Sequence, residues 1–243
     1  GMKTTFRIPE IWLAGFVGFA VYLAYTSLPF FLTYLQDLHA LPALAIAAFG
    51  IISTSGGRIG MALPAGFLAN RFFGGSTGGM RIGLLLVAAC ALITASLPAD
   101  DSFTWYAMIM MSMLALLFFF MRALYFAPFG EMGLPQRFSG SVIAIAAFMI
   151  YLPSSFAYLL WGFLLDSNPG LKGYQYMFFI LGFVALVGMS VAHVLQKRIK
   201  QGIAERIAER IKELDADLNL LGEEKTLSQL IDSSLEAKAG RKL

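Results

Sequence analysis

The chain has 243 residues, of which 58% are apolar and 14% charged, and its net charge is +3. Soluble domains carry roughly a quarter of charged residues, so a water-soluble core alone is excluded, and the charge is too small to make nucleic acid a partner. Residues 196–243 hold 19 of the 33 charged side chains, which divides the chain into a membrane domain over 1–195 and an aqueous tail over 196–243.

A membrane span needs about 20 apolar residues, and six stretches qualify: 9–35, 42–69, 81–98, 104–129, 139–165 and 174–195. Pro9 suits the first turn of the first helix, where its missing N–H costs nothing. That helix carries a polar stripe of Tyr22, Thr26, Pro29, Thr33 and Gln36. A polar face on a membrane helix is expected to look inward. The second stretch holds Ser53-Thr54-Ser55-Gly56-Gly57 near mid-depth, with Gly56 and Gly60 as a small-residue pair for close helix approach. Cys90, in the third, is the single cysteine and has no partner for an internal disulfide. Pro153 should kink the fifth, with Ser154 and Ser155 available to the freed backbone groups.

The connections are short, so neighbouring helices run antiparallel. Lys3, Arg7, Arg71, Arg81, Arg137, Lys197, Arg198 and Lys200 collect on one side, while Asp37, Asp100, Asp101 and Asp166 mark the other. The bias of Lys and Arg toward the cytoplasm then places both termini there. The expected location is a bacterial inner (plasma) membrane. After Lys200 the isoleucines and leucines recur at helical spacing between charges, predicting a cytoplasmic amphipathic helical tail. This tail is either a solvated extension or a surface for self-association.

A short phrase occurs twice. Gly66-Phe67-Leu68-Ala69-Asn70 is followed by Gly74, and Gly162-Phe163-Leu164-Leu165-Asp166 by Gly170, at an offset of 96 residues. Three crossings fit in that interval, which puts the copies on opposite faces, as in an inverted 3+3 repeat with halves at about 9–98 and 104–195.

Two arginines fall inside the apolar stretches. Arg58 and Arg122 each lie about eight residues before a glycine near a helix end, on the order of 12 Å inside the boundary at 1.5 Å per residue. No carboxylate shares that depth. Either the pair faces a cavity and receives an anionic substrate, with Tyr125 one turn from Arg122, or both side chains snorkel to the interface. Glu131 is a proton-coupling carboxylate, a gate residue or a loop charge. His39 and His193 belong to no metal-ligand spacing, and there is no nucleophile arrangement or phosphate loop. Neither enzymatic activity nor a metal or cofactor is expected.

The run Gly57-Arg58-x-Gly60-x3-Pro64-x-Gly66-x-Leu68-Ala69-Asn70-Arg71 resembles the second helix and following loop of a major facilitator superfamily half. Pro9-Glu10-Ile11-Trp12-Leu13 and Arg122-Ala123-Leu124-Tyr125-Phe126 are similar to the C-terminal half. Asn70 stands where the family has Asp, and Gly74 comes one residue late. The resemblance implies an all-α membrane fold of six helices, half of a twelve-helix transporter. It also implies a cavity lined by the first and fourth helices, and a conformational switch at Gly66, Asn70, Arg71 and Gly74 with Asp166 as its counterpart. Tyr22, Thr26, Arg58, Arg122 and Tyr125 would then line the path of a small, anionic metabolite moved by symport or exchange. The missing wall would come from an N-terminal half or a second copy of the chain. A non-transporting scaffold whose tail binds a partner is the alternative.

Overall fold

The computed structural model describes residues 8–39, 41–133, 139–202 and 205. The basic residues Lys3, Arg7 and Arg137, and almost all of the tail, lie outside the described residues. Residues Gly1–Ile199 form one compact unit and Lys200–Leu243 a second.

The described residues contain no strand. Six helices among them are long and apolar enough to cross a membrane: α1 (Pro9–His39), α2 (Ala43–Met61), α3 (Ser76–Ala95), α4 (Thr104–Glu131), α5 (Ser139–Ser167) and α6 (Leu171–Gly202). In the apolar windows of α1 and α3, 61% of residues are buried, against 17% in α2 and 33% in α5. The first two are therefore central, while α2 and α5 turn much of their surface outward.

Side chains at both ends fix the antiparallel order. At one end Arg198 of α6 pairs with Glu10 of α1 at 3.2 Å, and Arg81 of α3 meets His193 of α6 at 3.1 Å. At the other, the Tyr174 hydroxyl of α6 donates to Asp37 of α1 at 2.7 Å, and His39 of α1 meets Thr104 of α4 at 3.2 Å.

Small residues set the closest helix approaches, as expected where packing drives association in lipid. A Cβ on Gly18 of α1 would collide with Ile150 of α5, and one on Gly83 of α3 would come within 2.7 Å of Met121 of α4. On α2 the close approach falls at Gly57, against Phe119 of α4, whereas a Cβ at Gly56 or Gly60 would meet nothing within 4 Å. The Gly56–Gly60 pair expected to draw helices together thus faces out of this unit.

Four of the six spans are interrupted. α1 is helical over Pro9–Tyr25 and again over Leu28–His39, and α4 over Thr104–Leu124 and Ala127–Glu131. In α5 a tight 3-10 turn, Leu152–Ser155, follows Ser139–Tyr151. Prolines explain these breaks. A proline donates no N–H and its ring clashes with the carbonyl four residues earlier; Pro29 and Pro128 stand just beyond their breaks, and Pro153 lies within the third. In α2 the interruption is a π-helical turn at Ile52–Gly56. Hydroxyls take up carbonyls around three of the breaks: Ser27 donates to Ala24, Ser154 to Tyr151 and Thr54 to Gly50, each at 2.6 Å. The expected kink at Pro153, with its serines engaged, is one of these.

Candidate functional site

The interruptions bring together an arginine–tyrosine cluster. Tyr25 ends the first segment of α1, Tyr151 ends the first segment of α5, and Tyr125 caps the first segment of α4. Arg58 follows directly on the π turn of α2 and its neighbour Gly57.

Tyr25 is shared by both arginines. The Arg122 guanidinium lies over its ring, 4.3 Å from the centroid, and Arg58 Nη2 donates to its hydroxyl at 3.2 Å. A cation over an aromatic face is attracted by the ring quadrupole, so one side chain satisfies two cations by different chemistry. Arg58 also lies 5.8 Å from the Phe119 ring centroid. Around them the Tyr125 and Tyr151 hydroxyls are 2.8 Å apart, and Tyr22 packs edge-on against Tyr151 with centroids 5.0 Å apart. Tyr22 also adjoins Tyr25, and Phe126 adjoins Tyr125. Among the described residues the ion pair is Arg198–Glu10, and no carboxylate lies within 4 Å of Arg58 or Arg122.

A cavity of about 240 Å³ opens beside the cluster. Tyr25, Ser53, Thr54 and Arg58 give it a polar corner, and Phe49, Met111 and Phe119 are among its apolar walls.

Of the residues singled out from sequence, Tyr22, Arg58, Arg122 and Tyr125 converge here. Thr26 stands apart. It is 1% exposed, its hydroxyl donates to Leu23 O at 2.6 Å, and it accepts the Trp161 indole N–H of α5 at 3.0 Å. Thr26 therefore bonds α1 to α5. Tyr25 and Tyr151 escaped sequence reasoning, although Tyr25 lies one position from the stripe at Tyr22 and Thr26.

Glu131 belongs to a different place. Its carboxylate accepts the backbone N–H of Ser76 at 2.5 Å and the Thr77 hydroxyl at 2.8 Å. It thus caps the start of α3 from the end of α4, where a helix N-terminus favours negative charge. The loop it meets is the glycine turn after Phe72, in which Gly74 has φ 67° and Gly75 φ 112°. Gly66, Asn70 and Arg71 are exposed along the helix Pro64–Phe72 leading into that turn. Asp166 is exposed near the end of α5, and Gly170 beyond it has φ 76°. Both copies of the repeated phrase therefore run into a left-handed glycine. Phe73 O, beside the first turn, accepts from Gln196 at 3.4 Å, near the finish of α6. The second turn leads into the start of α6.

These features define an all-helical integral membrane protein with several spans. No protein-family model matches the chain, and no solved structure matches it. It is similar to inner membrane protein YihN of Escherichia coli (strain K12), at 30% identity over 212 residues, covering 85% of this chain and 49% of YihN. It is also similar to inner membrane protein YqcE of the same organism, at 27% identity over 184 residues, covering 74% of this chain and 42% of YqcE. The chain spans about half the length of the curated relatives it matches. With relatives named for the inner membrane and six apolar helices, it is an integral inner-membrane protein.

Proposed function

We propose that the chain is one six-helix half of a major facilitator-type transporter, and that it moves a small organic anion by symport or exchange. The observation that carries this reading is the pair of guanidinium groups held by one tyrosine beside a cavity, with no carboxylate of the described residues in contact. Intramembrane cations are expensive and mark substrate paths, and a guanidinium suits carboxylate, sulfonate or phosphate oxygens.

Further features support the same reading. Relatives about twice as long leave room for a second half, and the weakly buried α2 and α5 offer it a surface. The left-handed glycines after each phrase copy suit an inverted 3+3 repeat. The turn at Gly74, tied to α4 through Glu131, would then act as the conformational switch on the cytoplasmic side. Residues 196–243 would extend into the cytoplasm.

The test is saturable uptake of labelled organic anions by the chain joined to the matching N-terminal half, reconstituted in vesicles. Uptake is expected, and Arg122→Ala should abolish it. Absence of uptake, together with capture of a cytosolic protein by the tail, would replace transport with a scaffold role.

A further inference from the structure

The two arginines are not equivalent. Arg58 lines the cavity and Arg122 does not. Arg122 lies over the Tyr25 ring and beside Tyr125, whereas Arg58 donates to the Tyr25 hydroxyl. Because the Tyr25 oxygen accepts from Arg58, its own proton remains for donation. A guanidinium has five N–H donors, of which the bond to Tyr25 uses one. Donors from both residues thus converge on one corner of the cavity.

The remaining lining is of a different kind. Ser53 and Thr54 spend their hydroxyl protons on Phe49 O at 2.7 Å and Gly50 O at 2.6 Å, so toward the cavity they present acceptors only. Apart from Tyr158, the other walls are apolar, with Leu28, Phe31, Leu32, Phe49, Met111 and Phe119 among them. One cationic corner neutralises one negative charge, and beyond the oxygens of Ser53, Thr54 and Tyr158 the walls offer the several hydroxyls of a sugar or sugar acid no partners. Stripping water from such groups without replacement bonds is costly.

Building on the anion-transport reading, we infer that the ligand is an organic monoanion with an apolar body. Its head is held by Arg58 and the Tyr25 hydroxyl, its body lies against the aromatic and aliphatic wall, and Arg122 acts as a positioning residue that fixes the Tyr25 ring. A planar guanidinium over a ring holds that ring in one orientation, which aims the hydroxyl at the head group.

The experiment is equilibrium binding by calorimetry to the chain joined to the matching N-terminal half in lipid nanodiscs, with empty nanodiscs as blank. The probes are 3-phenylpropionate, its neutral amide, gluconate and inorganic phosphate. 3-Phenylpropionate should bind, and the other three should bind on the order of tenfold more weakly or not at all. Arg58→Gln should weaken 3-phenylpropionate binding by about tenfold or more, with partial recovery in Arg58→Lys. Arg122→Gln should weaken binding in the native background and have no further effect in a Tyr25→Ala background, because it acts through that ring. Elution of each variant as a single folded species on size exclusion separates lost binding from lost structure.

Gluconate or phosphate binding as tightly as 3-phenylpropionate overturns the ligand class and leaves anion transport standing. Equal binding of the amide overturns recognition of the charge. An Arg122→Gln effect that persists without Tyr25 makes Arg122 a direct ligand contact and overturns its positioning role. If none of the anions binds, the inference and the anionic-substrate reading fall together.

Discussion

Tyr125 and Tyr151 join α4 to α5 through two hydroxyls 2.8 Å apart. Either phenol can donate, so replacing one removes the bond between the two helices, while Arg122 stays beside Tyr125 and Tyr151 keeps an exposed edge. Tyr125→Phe and Tyr151→Phe should each lower stability by about 1 kcal/mol. The double substitution should cost little more than either alone, as measured by a thermal-unfolding double-mutant cycle. Glu131 offers a second residue-scale check. Its carboxylate caps α3, so Glu131→Ala should cost about 1 kcal/mol, and Glu131→Gln, which keeps one acceptor oxygen, should cost less. Chemical or thermal unfolding in detergent reads both. The matching depth of Arg58 and Arg122 was legible because charge in an apolar helix is conspicuous and its depth can be counted along the chain. Tyr25 was not, because a tyrosine next to a polar stripe reads as ordinary interfacial chemistry until two other helices each place a cation on it.

At the scale of elements, glycine positions separate sites of contact from sites of exposure. Gly18 faces Ile150 across the α1–α5 contact, so Gly18→Val should prevent accumulation of folded protein, overpacking being worth about 1–3 kcal/mol or more. Gly60→Ala, with nothing within 4 Å of the added carbon, should leave the amount of monodisperse protein unchanged. Yield after size exclusion reads the contrast. Six apolar stretches were evident from the sequence because length and hydropathy are local properties. Their ends were less so: α1 reaches His39 rather than residue 35, and α6 spans Leu171–Gly202 rather than 174–195. A count of apolar residues stops at the first polar ones, yet a helix can carry charges at its ends. The kink at Pro153 followed from its position deep in a span. The break at Thr26–Ser27 did not, since Pro29 comes only after it and serine and threonine are common in membrane helices. The π turn at Ile52–Gly56 had no sequence signal of its own.

For the whole molecule, orientation and solvent access are the measurable quantities. Cys90 is 5% exposed and is the single cysteine, so a membrane-impermeant maleimide should leave the native chain unlabelled. Asn70→Cys should be labelled from the cytoplasmic face only and Ser167→Cys from the opposite face only, in intact cells against inverted vesicles. Labelling of both from one face would reject the inverted arrangement. The low burial of α2 and α5 was beyond the reach of sequence, because hydropathy does not separate a lipid-facing side from one awaiting another bundle.

The interruptions in α1, α2, α4 and α5 have a mechanical consequence. A continuous helix resists bending through its ladder of backbone bonds, and bends concentrate where that ladder is already cut. Here the cuts gather around one aromatic girdle, and hydroxyls such as those of Ser27, Thr54 and Ser154 already hold neighbouring carbonyls. The four broken spans are creased at one level like a folded card, while α3 and α6 run unbroken past the crease as its spine, so bending is confined to the helices that carry the arginine–tyrosine cluster.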